Sequence, residues 1–303
     1  MLRYVLAAAA LKAFSLNAAT RHAYRQIGNV IGARRRSKIL RAGYIERADG
    51  NLRFAEKHGA IADGMRVLEL GTGWVHWESL FTRLFYDVET VLFDVWDNRQ
   101  FEGFHNYAAI LRERLPGLTS RSAAAREKAI SRLDRVLACA SFDEVYRELG
   151  WRYIVEPDGS LAAVGDSTID LVYSSDVMEH IPEQALEGLA DDLRRILKPG
   201  AHVTQQIVVA DHLTIYDRAV HPKKYLAFDE GQWRRWFVND VQYMNRWQHS
   251  DFVRLYRDKG FRVVDQETVD SADTSMLAIA PRWKSYDKSD LDACVTRLLV
   301  QAP

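Results

Sequence analysis

From Met65 onward, short apolar runs alternate with amphipathic stretches along the chain. The runs are RVLEL (66–70), TVLFDV (90–95), RYIVE (152–156), IDLVYS (169–174), HVTQQIVVA (202–210), FRVVD (261–265) and SMLAIA (275–280). Continuous apolar runs of this length suit strands buried on both faces, as in a parallel sheet covered by helices. Between the fourth and fifth runs, Leu186, Leu189, Ala190, Leu193, Ile196 and Leu197 recur at helical spacing, and Pro199-Gly200 stops that helix before the next strand. Strand and helix alternate, so the pattern predicts an α/β, doubly wound fold.

Residues 1–60 follow a different rhythm, helical and basic, and are expected to form an N-terminal extension to a main domain at 61–303. Two segments are too long for simple crossovers and read as insertions. Residues 98–150 hold helix-like stretches, including SFDEVYREL, where Ser141 and Glu144 fit a capping box. Residues 211–248 are rich in aromatic side chains, among them Tyr216, Tyr225, Trp233, Trp236 and Phe237, which either cover the edge of a core or line a pocket.

Composition narrows the picture only slightly. A hydrophobic content of 48% with 27% charged residues is that of an ordinary globular protein, and 41 Lys and Arg balance 41 Asp and Glu. No global field draws the chain toward nucleic acid. The charge is uneven, however: Arg34, Arg35, Arg36, Lys38 and Arg41 form a basic run before the first acidic residue, Glu46. Such a run is ordinarily a solvated helical face, and a phosphate-bearing substrate or an anionic membrane surface is its functional counterpart. Cys139 and Cys294 are distant and fit no disulfide framework or zinc site, which points to a reducing, cytoplasmic setting. The N-terminal MLRYVLAAAALKAF reads as an alanine-rich helix, not a signal peptide, because Lys12 interrupts its apolar run.

The chemistry concentrates where strands end. Gly71-Thr72-Gly73 closes the first run in ELGTGWVHWESL; paired glycines there let the backbone turn tightly and approach a ligand. Glu69 is placed to accept hydrogen bonds from a cationic amino group, and Asp94, ending the second run, to hold vicinal ribose hydroxyls. Asp158 in EPDG follows the third run, and IDLVYSSDVMEHIP holds the end of the fourth. A dinucleotide-binding loop would need a glycine where His76 stands.

At these residues the chain resembles the class I S-adenosylmethionine-dependent methyltransferases. VLELGTG is similar to their first motif, LFD to the acidic end of their second strand, IDLVYSSDVMEHIP to the fourth-strand motif, and LRRILKPGAHV to the helix, turn and fifth strand. The resemblance covers roughly 65–280 and implies a Rossmann-like, seven-stranded sheet with S-adenosylmethionine as cofactor. By position it implies Glu69 near the methionine amino group and Gly71, Thr72, Gly73 and Trp74 along the loop. Asp94 and Val95 fall at the ribose, Asp158 and Gly159 near adenine, and Asp176 and Val177 beside the sulfonium. Val75 departs from the family pattern, which has a third glycine there. Within the family, the later part of the chain is similar to a bacterial subgroup associated with polysaccharide or secondary-metabolite pathways.

The acceptor is less determined. No Asp/Asn-Pro-Pro-aromatic element follows the fourth run, where the sequence reads Ser174-Ser175-Asp176-Val177, so nucleic acid is not the expected substrate. A small molecule or glycan, methylated on oxygen, is the leading expectation, with the two insertions as its lid. A membrane contact through the basic N-terminal region would suit a lipid-linked acceptor. Oxygen acceptors that carry a proton require a base. His212, just past the fifth run, is the first candidate, with Asp211 and Asp217 to orient it, and His180 is the second. Asp211, His212, Asp217 and His221 have the composition of a metal site but match no standard ligand spacing, so no metal is expected. The alternative is a non-catalytic S-adenosylmethionine-binding protein with a regulatory or assembly role.

Overall fold

The computed structural model describes all 303 residues. Three helices come first, α1 (Leu2–Phe14), α2 (Ala18–Arg36) and α3 (Ala42–Lys57). The alternating part then runs β1 (Arg66–Leu70), α4 (Trp77–Phe85), β2 (Glu89–Asp94), α5 (Phe101–Arg114), α6 (Ala123–Leu137), α7 (Phe142–Leu149) and β3 (Trp151–Val155). It continues through β4 (Ile169–Ser175), α8 (Glu183–Ile196), β5 (Leu197–Val208), α9 (Glu230–Trp236), α10 (His249–Asp258), β6 (Arg262–Ser271), α11 (Lys288–Asp292) and β7 (Ala293–Gln301). The strands form one seven-stranded mixed sheet in the order β3-β2-β1-β4-β5-β7-β6. The pairs β1–β2, β1–β4 and β2–β3 are parallel, with Glu69 beside Leu92 and Tyr173. Reversal of strand order at β1 makes this a doubly wound fold of the Rossmann-like type, as the alternation predicts.

By contacts the chain divides into two compact units. One comprises 29–175, 191–205 and 299–303; the other comprises 1–28, 176–190 and 206–298. The first of these contains β1 to β4. Val67, Leu68, Leu92 and Val172 on its strands are buried, as are Leu80, Phe81 and Leu84 on α4. Its insertion is helical, as expected, and Ser141 caps α7 by accepting from the Glu144 backbone. The reciprocal bond of the expected box is absent, because the Glu144 carboxylate takes the Ala140 N–H.

The second unit has its own core, in which Tyr4, Ala8 and Leu11 of α1 pack with Tyr225, Trp233, Phe237 and Trp283. The aromatic stretch at 211–248 therefore largely builds a core: Tyr225, Trp233 and Phe237 are buried, while Tyr216 and Trp236 are exposed. Lys223 is fully buried here, its ammonium donating to the carbonyls of Val209 and Ala293 and to the Gln248 amide oxygen at 2.8–2.9 Å. One strand reading fails. SMLAIA at 275–280 is a turn and loop, and the last strand is β7 instead. The Ser275 N–H donates to the Asp273 carboxylate and the Thr274 N–H to Asp292, giving the backbone an alternative to the ladder.

Tyr4 ties α1 into that core through a 2.6 Å hydrogen bond from its hydroxyl to the Asp211 carboxylate. Burial pushes the Asp211 carboxyl up to about 6, against the lowering effect of the Tyr4 and Leu213 bonds. A folded-state value above the unfolded one of about 3.9 means stability present at low pH and lost as the pH rises through 6. Tyr4→Phe removes one donor and raises the folded value further. Urea denaturation should therefore show a loss of about 1–3 kcal/mol at neutral pH, shrinking on acidification. A loss independent of pH would contradict this role for the hydroxyl.

Candidate active site

The loop Gly71–His76 leaves β1 under the control of two carboxylates. Gly71 (φ +74°) and Gly73 (φ +61°) both take the left-handed backbone region that glycine alone occupies without strain. The N–H groups of Gly71 and Thr72 donate to the Phe93 carbonyl on the neighbouring strand at 2.8 and 3.1 Å. Asp94, at the end of that strand, accepts from the Gly73 N–H at 2.8 Å and from the Val95 N–H at 2.8 Å. Burial raises its carboxyl above the usual range while those backbone donors lower it.

Glu69 lies deeper. One of its oxygens accepts from the Thr72 hydroxyl, the Ser79 N–H and the Ser79 hydroxyl, which is bonded in turn to the Tyr173 hydroxyl. Burial pushes the Glu69 carboxyl up to about 8; the Ser79 bonds oppose this and the charge of Glu78 adds to it. At neutral pH it is therefore largely protonated, and an ammonium group brought against it would restore the carboxylate.

The crowded side of the loop is structural. His76 (φ +43°) is fully buried, bonded through Nδ1 to the Thr72 hydroxyl and through Nε2 to the Tyr146 hydroxyl. Burial pulls its imidazole down to about 3, so it stays neutral. Val75 is buried against α5, where a Cβ added to Gly103 would lie 3.4 Å from its Cγ1. Trp74 is partly exposed; its indole donates to Asn29 at 3.0 Å, and the Arg36 guanidinium lies 4.3 Å above its ring. Trp77 donates to the Tyr44 carbonyl. The loop's apolar residues thus carry α2, α3 and α5, which explains why no third glycine is needed.

These residues suit the adenosylated amino acid that the sequence motifs imply. A Cβ at Gly73 would meet nothing within 4 Å, so the backbone there borders open space and admits close approach. Asp94 Oδ1 accepts from both the Val95 and Trp96 N–H groups, whereas Oδ2 accepts only from Gly73 and retains capacity for a ribose hydroxyl. Gly159 (φ +77°) would bring a Cβ within 3.8 Å of Val95, which joins the EPDG turn to the end of β2. Asp158 closes that turn by accepting the Ser160 N–H.

The remaining candidates lie in the other unit. Asp176 follows β4 in a left-handed conformation (φ +59°), exchanging two 3.0 Å bonds with Gln206, and Val177 leads directly into a short helical turn at Met178–His180. His180 donates through Nδ1 to the Tyr243 carbonyl at 2.8 Å, since a carbonyl only accepts; its Nε2 is then unprotonated in the neutral ring. The His212 ring lies 4.8 Å from the His180 ring. Burial pulls the His212 imidazole down to about 3, with the neighbouring His180 adding to it.

The expected partners of His212 are not the ones it has. Asp211 turns away, accepting from Tyr4 and the Leu213 N–H, and Asp217 pairs with the N-terminal ammonium at 2.6 Å. His221 is bonded to the Asp273 carbonyl and the Lys223 N–H. Consecutive residues in a tight turn project in different directions, so adjacency in sequence did not bring Asp211 to its neighbour's ring. Instead Glu179, missed in the sequence, comes with His180 and His212 into a cluster whose nitrogen and oxygen atoms lie within 4.8 Å of one another. The only signal for it was its place beside His180 in MEHIP. The cleft beside His212, lined by Leu11, Trp233, Tyr243 and Met244 among others, holds about 20 Å³, room for one water.

Glu69 makes stability depend on pH in a defined direction. Its folded value of about 8 stands above its ordinary 4.5, so its contribution is full below 4.5 and lost as the pH rises through 8. Melting temperatures followed across that window should fall for the wild type relative to Glu69→Gln, whose amide does not titrate. Parallel curves for the two proteins would contradict the buried, protonated carboxyl.

The family model described as a methyltransferase domain matches residues 40–266, three quarters of the chain. No curated protein shows significant sequence similarity to the chain. Among solved structures it is similar to an S-adenosylmethionine-dependent methyltransferase from Mesorhizobium loti, with 14% identity over 84% of this chain and 99% of that one, TM-score 0.45. It is likewise similar to one from Methanosarcina mazei, with 15% identity over 82% and 96% and a TM-score of 0.44. A phosphoethanolamine N-methyltransferase from Haemonchus contortus matches at 14% identity over 84% of this chain but 52% of its own, TM-score 0.48. With the family model covering the glycine loop, Asp94 and the β4 motif, the chain belongs to the class I S-adenosylmethionine-dependent methyltransferases.

Proposed function

We propose that this enzyme methylates a hydroxyl oxygen of a small molecule or glycan, with His212 as the base and with peripheral membrane contact through its N-terminal helices. The observation that carries the chemistry is the Glu179–His180–His212 cluster in the segments that follow β4 and β5. S-adenosylmethionine supplies a methyl group on a positively charged sulfur. Glu69, Gly71, Thr72, Gly73, Trp74, Asp94, Val95, Asp158, Gly159, Asp176 and Val177 are the residues that would hold it. The acceptor oxygen must be aligned with the carbon–sulfur bond and kept from water, and such positioning accounts for much of the acceleration in a displacement of this type.

A resting value near 3 makes His212 a weak base, yet a sufficient one. As the new oxygen–carbon bond forms, the hydroxyl oxygen becomes positive and strongly acidic, so its proton passes to a neutral imidazole in the same step. His180, held by the Tyr243 carbonyl, fixes the orientation of the ring pair. The nearby Glu179 carboxyl would then favour the imidazolium produced on His212.

His212→Gln should lower kcat by about 10²–10⁴-fold. Affinity for S-adenosylhomocysteine, read by calorimetry, should stay at the wild-type value. The wild-type rate should also remain level as the pH is lowered through the ordinary histidine value of about 6.5, because the ring protonates only near 3. Full turnover in His212→Gln with any accepted hydroxyl substrate would remove the residue as base. An acid limb near 6.5 would do the same for the buried, neutral imidazole.

A further inference from the structure

The helix α1 is apolar on both faces, although only one of them is covered. Tyr4, Ala8 and Leu11, spaced at i, i+4 and i+7, are buried in the core described above. On the opposite side Leu2, Val5 and Leu6 are exposed, followed by the exposed Ala9 and Ala13, with Leu16 76% exposed in the turn beyond. A helix that faces water on one side normally turns charged residues there. The next helix shows the same anomaly in another form. Over its 19 residues α2 buries no side chain, and Ile27, Val30 and Ile31 stand exposed at i, i+3 and i+4. Exposed Arg34 and Arg35 lie one turn further, with Lys38 and Arg41 after the helix end.

Charge selects the occupant of these stripes. From Met1 to Ile45 the chain has no aspartate or glutamate, while Arg3, Lys12, Arg21, Arg25, the 34–36 arginines, Lys38 and Arg41 all fall within it. A second copy of the same face would set like charges against each other, which disfavours a symmetric dimer there. A nucleic acid would satisfy the arginines but leave Leu2, Val5, Leu6, Ile27, Val30 and Ile31 against phosphate and water. An anionic lipid surface satisfies both, since acyl chains take the apolar stripe and headgroups the flanking cations. No helix is long and apolar enough to cross a membrane, so the contact lies in the plane of the surface.

We infer that α1 and α2 bind an anionic phospholipid surface, through Leu2, Val5 and Leu6 of the first helix and through Ile27, Val30, Ile31, Arg34 and Arg35 of the second. The inference deepens the peripheral contact proposed above and rests on that contact alone; it does not depend on the role of His212. An enzyme held in this way would work on an acceptor that is itself anchored in, or partitioned into, the bilayer.

The test is co-sedimentation of the full chain with vesicles of phosphatidylcholine alone or of phosphatidylcholine mixed with phosphatidylglycerol. Binding is expected to the mixed vesicles, weakening as salt is added. Arg34→Gln with Arg35→Gln should reduce it about thirtyfold, roughly fivefold for each charge removed. Leu2→Ser with Leu6→Ser, both at exposed positions, should also abolish retention. All variants should keep wild-type affinity for S-adenosylhomocysteine, which reports an intact fold and separates this outcome from failure of the methyltransferase site. Absence of binding, equal binding to both vesicle types, or binding unchanged in the arginine variant would overturn the inference. So would a wild-type dimer in light scattering that the leucine variant dissolves.

Discussion

Two buried carboxylates at the ends of adjacent parallel strands fix the loop on which the rest of the site depends. Asp94 holds the Gly73 N–H from one side, and Glu69 gathers Thr72 and Ser79 from the other. A left-handed glycine turn left to itself would sample many conformations, at an entropic cost borne on ligand binding. Here the conformation is held by fixed donors to buried oxygens, although burial still outweighs those donors and raises both carboxyls. The same arrangement leaves Glu69 short of full ionisation, so the site is electrostatically prepared for a cation.

The loop is also tied into the packing of the first unit. Trp74 carries Asn29 and Arg36 from α2, Trp77 reaches Tyr44 on α3, and His76 reaches Tyr146 on α7. A bulky residue in each of these places has a structural partner, which is why the stretch ELGTGWVHWESL looks unlike an ordinary glycine loop. The histidine in it is spent on that packing and stays uncharged at neutral pH.

Much of this was legible because continuous apolar runs identify strands buried on both faces, and because an acid or glycine at their ends marks the binding edge. Six runs became strands. SMLAIA did not, since the Asp273 and Asp292 carboxylates take the Ser275 and Thr274 N–H groups, and Met276 is 94% exposed. The true last strand, ACVTRLLVQ, was hidden by Thr296 and Arg297, whose polarity is absorbed by His249 and by Glu267. The catalytic candidates were the least legible part. His212 and His180 were found as residue types near strand ends, but their association with Glu179 depends on how two separated turns fold back. The partner that Asp211 has, Tyr4, is not legible beside it, because it lies 207 positions away in sequence.

The central claim is that the loop held by Asp94 is where S-adenosylmethionine binds. Titration calorimetry with S-adenosylhomocysteine, comparing wild type with Asp94→Asn and Gly73→Val, tests it most directly. The account predicts a single site in the wild type, at least tenfold weaker in Asp94→Asn and absent in Gly73→Val, with circular dichroism of all three unchanged. No binding by the wild type, or equal affinity in the three proteins, would contradict it.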